Sequence, residues 1–349
     1  MLDGNDCMIC LTTDWNSFLD RIPENFQDLY YREEYVKLYE TEFEKACCFV
    51  FEKSGDIFLF PFLKRTFKYL GKEYYDFETA YGYGGFIASN HSESFLEAAY
   101  LAFAELAKQE NFVCGFVRFH PVLNNTQGFD KIGLVYNDRK TIAIDLSAGV
   151  ENAWMNEIHK KNRNVIKKGE KEGLKFVLDY NFENLDSFVK IYDSTMDKLS
   201  ADSFYYFKQD YYVQLRDTLK NRFLGLVKYE GKIIAAAIFF FQKPYGHYHL
   251  AGSDKDYLNL SPNNFLLWNA AIELEKNGVK YFHLGGGTDG SENNSLYLFK
   301  KKFSKQEYQF SIGKTIFNQE LYNQICMDWE RNNPQKVEQY KRILLKYKY

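Results

Sequence analysis

Runs of apolar residues interrupted by short polar turns predict two β-hairpins. Residues 46–52 and 56–64, rich in Phe, Val and Ile, flank Lys53-Ser54-Gly55, and residues 223–229 and 232–242 flank Glu230-Gly231. Beyond each hairpin the apolar spacing changes to the helical period, over residues 92–110 in the first half and 261–277 in the second. A strand ending in an aromatic residue and a histidine follows each helix: Phe116-Val117-Arg118-Phe119-His120 and Val279-Lys280-Tyr281-Phe282-His283. The repeated order of hairpin, helix and strand predicts an α/β chain made by internal duplication of one unit.

The second of these helices is sharply punctuated, with Ser261 as the expected N-cap, Pro262 at the first helical position and Gly278 at the stop. Between the two copies, residues 150–173 place Trp154, Ile158 and Val165 at helical spacing among basic residues and mark the entry to a second domain. A further helix is expected from residue 318 to the end, kinked or broken at Pro334.

Composition narrows the class. A chain of 349 residues with 46% apolar content is too long for one modest core, so two domains are expected. The longest wholly apolar run, 233–241, is nine residues against the roughly 18 needed to cross a bilayer, and no basic-then-apolar leader opens the chain. A cytoplasmic protein with reduced cysteines is the expectation, since Cys47 and Cys48 are adjacent and the six cysteines form no spaced framework. Charge is uneven: residues 1–145 carry 14 basic and 23 acidic side chains, and residues 146–349 carry 30 and 24. A pI near 6.1 excludes nucleic-acid binding by the whole surface but leaves room for a local basic groove in the second half.

Several chemistries are absent from the motifs. There is no Gly-x-Ser-x-Gly elbow and no His-Glu-x-x-His, and Gly313-Lys314-Thr315 lacks the upstream glycine of a phosphate-cradling loop. Cys7 and Cys10 form a C-x-x-C without a second pair, and His247 and His249 share a strand face without a third ligand in sequence, so no metal site is expected. What remains is His283-Leu284-Gly285-Gly286-Gly287-Thr288-Asp289-Gly290, followed by Leu296-Tyr297-Leu298-Phe299-Lys300-Lys301-Lys302-Phe303. Glycines at a strand end let backbone approach a ligand, and cations just downstream can meet an anion or a developing oxyanion.

Four motifs in order carry a specific resemblance: Tyr81-Gly82-Tyr83-Gly84-Gly85; Phe116-Val117-Arg118-Phe119-His120-Pro121; Asn162-Arg163-Asn164 with Lys167-Lys168; and His283-Leu284-Gly285-Gly286-Gly287 with Phe299-Lys300-Lys301-Lys302-Phe303. From about residue 29 to residue 314 the chain resembles the FemAB/FemX-like transferases. These are a branch of the GNAT superfamily, related to acetyltransferase-like domains of polysaccharide gene clusters. The resemblance implies two GNAT-like domains in tandem with mixed β-sheets. A first domain over 1–146 would lie on the acceptor side and a second over 147–316 on the donor and catalytic side. A C-terminal helical segment, 317–349, would return to the first domain. The implied activity is transfer of an aminoacyl or other acyl group onto an amine of a cell-envelope peptidoglycan or polysaccharide precursor. The long coiled-coil arm of some members is absent, as no heptad pattern is sustained.

Carried over by motif, Lys300 becomes the cation near the reacting carbonyl or the donor phosphate, with Phe299 beside it in the acceptor channel. Lys301, Lys302 and Ser261 fall on the donor side. Arg118, Arg163 and Lys167 are candidates to grip phosphates, Tyr81 and Tyr83 to stack on a sugar or base, and His120 and Gly285, Gly286 and Gly287 to line the substrate. Asp289 is the nearest carboxylate able to take the amine's proton. No cofactor is implied beyond the donor substrate. Acyl-CoA enzymes of the superfamily hold pyrophosphate on a Gly-rich turn before the helix. Here that turn, residues 253–261, carries Asp254 and Asp256 and no glycine, which favours aminoacyl-tRNA as donor, approached through the basic residues of 160–175. Peripheral contact with a membrane is compatible with an envelope acceptor. Two other readings stay open: an acyl-CoA-dependent N-acyltransferase acting on an amino sugar, and a non-catalytic module that binds a glycan or nucleotide-sugar.

Overall fold

The computed structural model describes residues 7–199 and 206–349. Two compact units divide the chain, one made of residues up to 26, 30–138 and 310–349, the other of 27–29 and 139–309. The divisions at 138/139 and 309/310 lie inside the strands β7 (Leu134–Asp145) and β13 (Glu307–Ile316). The sequence reading instead put its borders at 146/147 and 316/317, where those strands end.

In the first unit β1 (Cys7–Thr12) pairs with β2 (Glu44–Lys53), with α1 (Asn16–Leu19) and α2 (Glu33–Lys37) between them in sequence. β2, β3 (Asp56–Tyr69) and β4 (Lys72–Glu78) form an antiparallel meander, and the two-residue β5 (Ile87–Ala88) pairs with β3. The helix α3 (Glu93–Gln109) then crosses to β6 (Phe112–Arg118), which lies parallel to β4. The far edge of β6 is taken, antiparallel, by residues 312–316 of β13.

The second unit repeats this plan. β8 (Lys175–Asp179) pairs with β9 (Arg222–Tyr229), and α6 (Leu185–Lys198) and α7 (Gln209–Thr218) occur between them in sequence. β9, β10 (Lys232–Gln242) and β11 (Tyr245–Ser253) form the meander. α8 (Pro262–Lys276) crosses to β12 (Tyr281–Gly286), parallel to β11, and residues 141–145 of β7 take the antiparallel place beyond it. The duplication read in the sequence is therefore complete down to strand order, and the last strand of each copy is supplied by a segment remote from it in the chain. Each hairpin turns on two residues of positive φ, Ser54-Gly55 and Glu230-Gly231, the geometry that matches strand twist. This mixed α/β architecture, with the same strand order in each unit, agrees with the fold class expected above.

The cores differ in texture. The first unit packs aromatic rings edge to face, with Phe60 at 5.2 Å from Phe103 and 5.7 Å from Phe77. The second packs α8 through Leu266, Leu267, Ala270, Ala271 and Leu274 among residues of β9, β10 and β12.

Three local expectations change. The basic segment is not one helix: α4 (Val150–Asn152) runs into a wide turn over Ala153–Glu157, the chain is extended at Ile158, and α5 (Lys160–Lys171) starts anew with His159 as its cap. Ser261 sits in a left-handed conformation after a 3₁₀ turn over Lys255–Leu260, and its side chain caps nothing. β12 runs through Gly286, so two of the three consecutive glycines are strand residues. The C-terminal helix does break at Pro334: α10 (Gln319–Asn332) packs near β6, and a short turn of helix, α11 (Val337–Tyr340), follows.

The loop carrying Tyr81 and Tyr83 is held by Asn125. Its buried amide donates to Tyr31 Oη and to the carbonyls of Gly84 and Phe86, and its oxygen accepts from the His120 N–H. Replacing it strands several buried polar groups at once. Asn125→Ala is expected to lower stability by about 2–3 kcal/mol, read as a reduced urea midpoint at unchanged slope. A loss below about 0.5 kcal/mol, the scale of an ordinary surface change, would contradict this role.

Candidate active site

In the second unit, parallel pairing of β11 with β12 lasts for three residue pairs, Tyr245 with Tyr281, Gly246 with Phe282 and His247 with His283. Both strands continue, to Ser253 and Gly286, without pairing further with each other, so they diverge. Bulges sit on the outer registers of both strands, at His249 against β10 and at Leu284 against β7, and let them turn apart. The first unit closes the same position. There Thr79 N bonds Phe116 O, Arg118 N bonds Thr79 Oγ1, and Gly84 N bonds Arg118 O at 2.7 Å, continuing the contact past the end of β4.

Lys300 comes to the diverging strands from α9 (Ser295–Lys301), a helix started by Asn294, whose Oδ1 accepts from Leu296 N and Tyr297 N. The Lys300 side chain is buried, its Nζ donates to Gly286 O at 2.7 Å, and it lies 5.9 Å from the Tyr248 ring centre. Burial first, and the nearby Arg139 guanidinium second, bring its pKa from 10.5 down to about 7. Arg139 donates to Gly287 O at 2.9 Å, so consecutive carbonyls of the glycine strand end each meet a cation.

The glycines have a different use from the one expected. A Cβ on Gly286 would lie 2.7 Å from Lys140 O, and one on Gly287 would lie 2.4 Å from Asn294 Oδ1. The bare backbone lets β7 and the cap of α9 close on the strand, and that closeness puts Gly286 O within reach of Lys300. Gly285, the bulge partner of Ile142, has a φ of +77°.

The other expected residues fall into separate settings. Phe299 is half-buried against Phe303. Lys301 is ion-paired with Glu307 at 2.5 Å, while Lys302 is exposed and its carbonyl receives His159 N and Asn162 Nδ2. Asp289 holds its own turn, accepting from Ser291 N and Asn294 Nδ2. Arg163 spends one guanidinium nitrogen on the carbonyls of Trp154, Met155 and Ile158, each at 2.9 Å, which satisfies the end of the broken helix rather than a phosphate. Lys167 is exposed, 5.8 Å from the Trp154 ring centre. In the turn before α8, Asp254 accepts from Asp256 N and pairs with Lys232 at 2.8 Å, placing a carboxylate on an N–H that a pyrophosphate would need.

In the first unit, Tyr83 packs edge-on to Tyr30, His120 and Phe310, and Tyr81 lies against Tyr39. His120 is buried and its Nδ1 accepts from Leu123 N. Arg118 pairs with Glu78 at 3.0 Å and donates to Thr79 O. Cys7 and Cys10 stand on one strand three residues apart and so point to opposite faces, which is the wrong geometry for a shared ion. His247 bonds Asp28 at 2.7 Å and His249 bonds Tyr211 Oη at 2.7 Å, so the pair on one strand face is divided between two partners. Burial takes the His249 pKa down to about 3.

Arg139, Tyr248 and Asn294 were not singled out from sequence. Only Asn294, a side-chain acceptor just before an apolar helix, had a readable signal.

The family described as Acetyltransferase (GNAT) domain matches residues 157–294. No curated protein matches the chain. Among solved structures, FemX covers 92% of this chain over 99% of its own, at 15% identity and a TM-score of 0.72. A C-terminal domain assigned to a lysylphosphatidylglycerol synthetase from Agrobacterium fabrum covers 86% over 92% of its own, at 15% identity and a TM-score of 0.55. A tandem GNAT protein from the clavulanic acid biosynthesis pathway covers 90% over 99% of its own, at 7% identity and a TM-score of 0.50. The chain thus shares the fold of FemX, and its residues 157–294 match the acetyltransferase (GNAT) domain family. Among the described residues no helix is long and apolar enough to cross a membrane.

A buried amine whose pKa lies below its unfolded value of 10.5 makes stability depend on pH. Between about 7 and 10.5 the unfolded chain binds more protons, so stability rises with pH across that window, and below it the full penalty of burying charge applies. Lys300→Met should therefore stabilise the fold by about 3 kcal/mol at pH 6, with the advantage shrinking toward pH 10. Denaturation midpoints across that range read it directly, and a difference independent of pH would contradict the assignment.

Proposed function

We propose that the second unit transfers an aminoacyl group from aminoacyl-tRNA to an amine of a cell-envelope precursor, with Lys300 as the group that moves the proton. The observation that carries this reading is a buried lysine amine of near-neutral pKa at the opening between two diverging strands. An amine acceptor arrives as an ammonium and must lose a proton before it attacks. That first proton goes to solvent; the neutral Lys300 amine takes a second from the attacking nitrogen as the new C–N bond forms, and returns it to the ribose oxygen as the ester C–O bond breaks. A pKa near 7 suits both halves of the cycle, since neither protonation state is scarce at neutral pH.

No covalent intermediate is needed. Orientation of the two reactants supplies roughly 7–11 kcal/mol, and a positioned cation such as Arg139 adds to the stabilisation of the developing oxyanion. Asp289, engaged in its own turn, is a weaker base candidate than Lys300. The exposed cations of α5, among them Lys160, Lys161, Lys167, Lys168 and Lys171, form a ridge suited to an RNA backbone in the cytoplasm. Arg163 is occupied by the adjoining turn and Lys168 pairs with Glu172 at 3.4 Å, while the other lysines are exposed.

A second reading, acyl-CoA as donor and an amino sugar as acceptor, is favoured by the acetyltransferase family match over residues 157–294. Against it stands the carboxylate of Asp254 in the turn before α8. Single-turnover transfer from charged tRNA and from acetyl-CoA, in the presence of amine acceptors, separates the two donors.

For either donor, Lys300→Ala should lower kcat by about 10²–10³ with little change in KM, and Lys300→Arg should not restore it, because guanidinium stays charged. The wild-type rate should rise with pH up to about 7 and level above it, since the neutral amine is the base. A Lys300→Ala protein with wild-type kcat and an unchanged pH profile would refute the role.

A further inference from the structure

The first unit holds a cavity of about 270 Å³ between the protruding end of β3, the α10 helix and Tyr347. Its aromatic wall is made by Phe67, Trp329 and Tyr347, with Trp329 nearly buried and its indole N–H committed to Tyr349 O at 3.1 Å. The guanidinium of Arg65 lies between two of these rings, 5.1 Å from the centre of Phe67 and 5.3 Å from that of Tyr347. Aromatic rings beside a guanidinium, here tilted 45° to each other, offer a stacking surface.

The charges around the cavity are mostly compensated. Arg65 is paired with the fully buried Asp76, which also accepts from Tyr347 Oη at 2.9 Å. Asp328 accepts from Tyr69 Oη at 2.6 Å and pairs with Arg331 at 2.9 Å. Lys68 differs: it lines the cavity, is exposed and makes no ion pair among the described residues, while Glu73, opposite it across the strand pair, accepts from Tyr75 Oη. At the other lip Asn332, the last residue of α10, presents its amide. The exposed Lys68 ammonium, bound to no carboxylate of the described residues, thus stands beside the aromatic wall.

We propose that this cavity is a binding site for a small planar aromatic ligand bearing one anionic group, the ring against Trp329 and Phe67 and the anion between Lys68 and Asn332. An aryl carboxylate and a nucleoside monophosphate share that chemistry. The site is independent of Lys300 and of the reaction assigned to it.

Calorimetric titration of the whole chain with indole-3-acetate and with adenosine 5′-monophosphate tests this, with indole and acetate as the half-ligands. Saturable binding of at least one anion, with a Kd below about 1 mM, is expected, and each half-ligand should bind about tenfold or more weakly. Lys68→Gln, a surface change that leaves the fold intact, should weaken the anion about tenfold, and Lys300→Ala should leave it unchanged. Absence of saturation with both anions, equal binding of neutral indole, indifference to Lys68→Gln, or loss of binding in Lys300→Ala would each overturn the proposal.

Discussion

The second unit depends on one awkward contact, an ammonium group kept out of water with a single peptide carbonyl, Gly286 O, as its hydrogen-bond acceptor. Burying a charge without an acid beside it is unfavourable, and the protein responds by lowering the pKa until the amine is neutral about half the time near pH 7. Everything nearby makes that contact possible. The glycines remove side chains that would hold β7 and the α9 cap away, and Asn294 starts the helix at the place from which its sixth residue reaches the strand. Arg139 adds a second cation on the next carbonyl. A carboxylate in its place would raise the lysine pKa and leave a permanent, catalytically idle ion pair.

The duplication explains why only one copy has this feature. Both units present the same strand order with a helical crossover to a parallel strand, a topology that brings two strand ends side by side. In the first unit the chain beyond β4 turns back and bonds to β6 through Thr79 and Gly84, and Asn125 ties that loop down. In the second, the strands part and α9 brings Lys300 to the opening. One repeated frame thus yields a closed copy, whose loop offers Tyr81 and Tyr83 at partial exposure, and an open copy in which the parallel strands part after three residue pairs.

Much of the frame was legible because it rests on local signals. Ser54-Gly55 and Glu230-Gly231 announce their hairpins, Pro262 and Gly278 bracket α8, and Pro334 breaks the last helix as its missing N–H requires. Lys300 was singled out through its motif. Its character was not, because a pKa near 7 arises from burial and from Arg139, which is 161 positions away in sequence. Arg163 shows the opposite failure. A cation in a basic helix reads as a ligand grip, but the turn at Ala153–Glu157, invisible to a helical pattern, leaves carbonyls that claim it. Ser261 fails for the same kind of reason, since a good N-cap residue caps only if the preceding chain delivers it in an extended conformation.

The choice of lysine over a nucleophilic serine or cysteine follows from the reactants such a site would join. An activated ester and an amine already favour the amide thermodynamically and need no covalent relay; what limits them near neutral pH is the proton on the amine. A histidine could accept that proton, and two stand on β11, but burial drives His249 to a pKa of about 3 and His247 is held by Asp28. The same low-dielectric setting that removes an imidazole from the useful range moves an ammonium into it, because lysine starts four pKa units higher, at 10.5 against 6.5. In a site this dry, lysine is the basic side chain whose titration arrives at physiological pH, and the dryness is itself a product of α9 folding back onto the glycine strand.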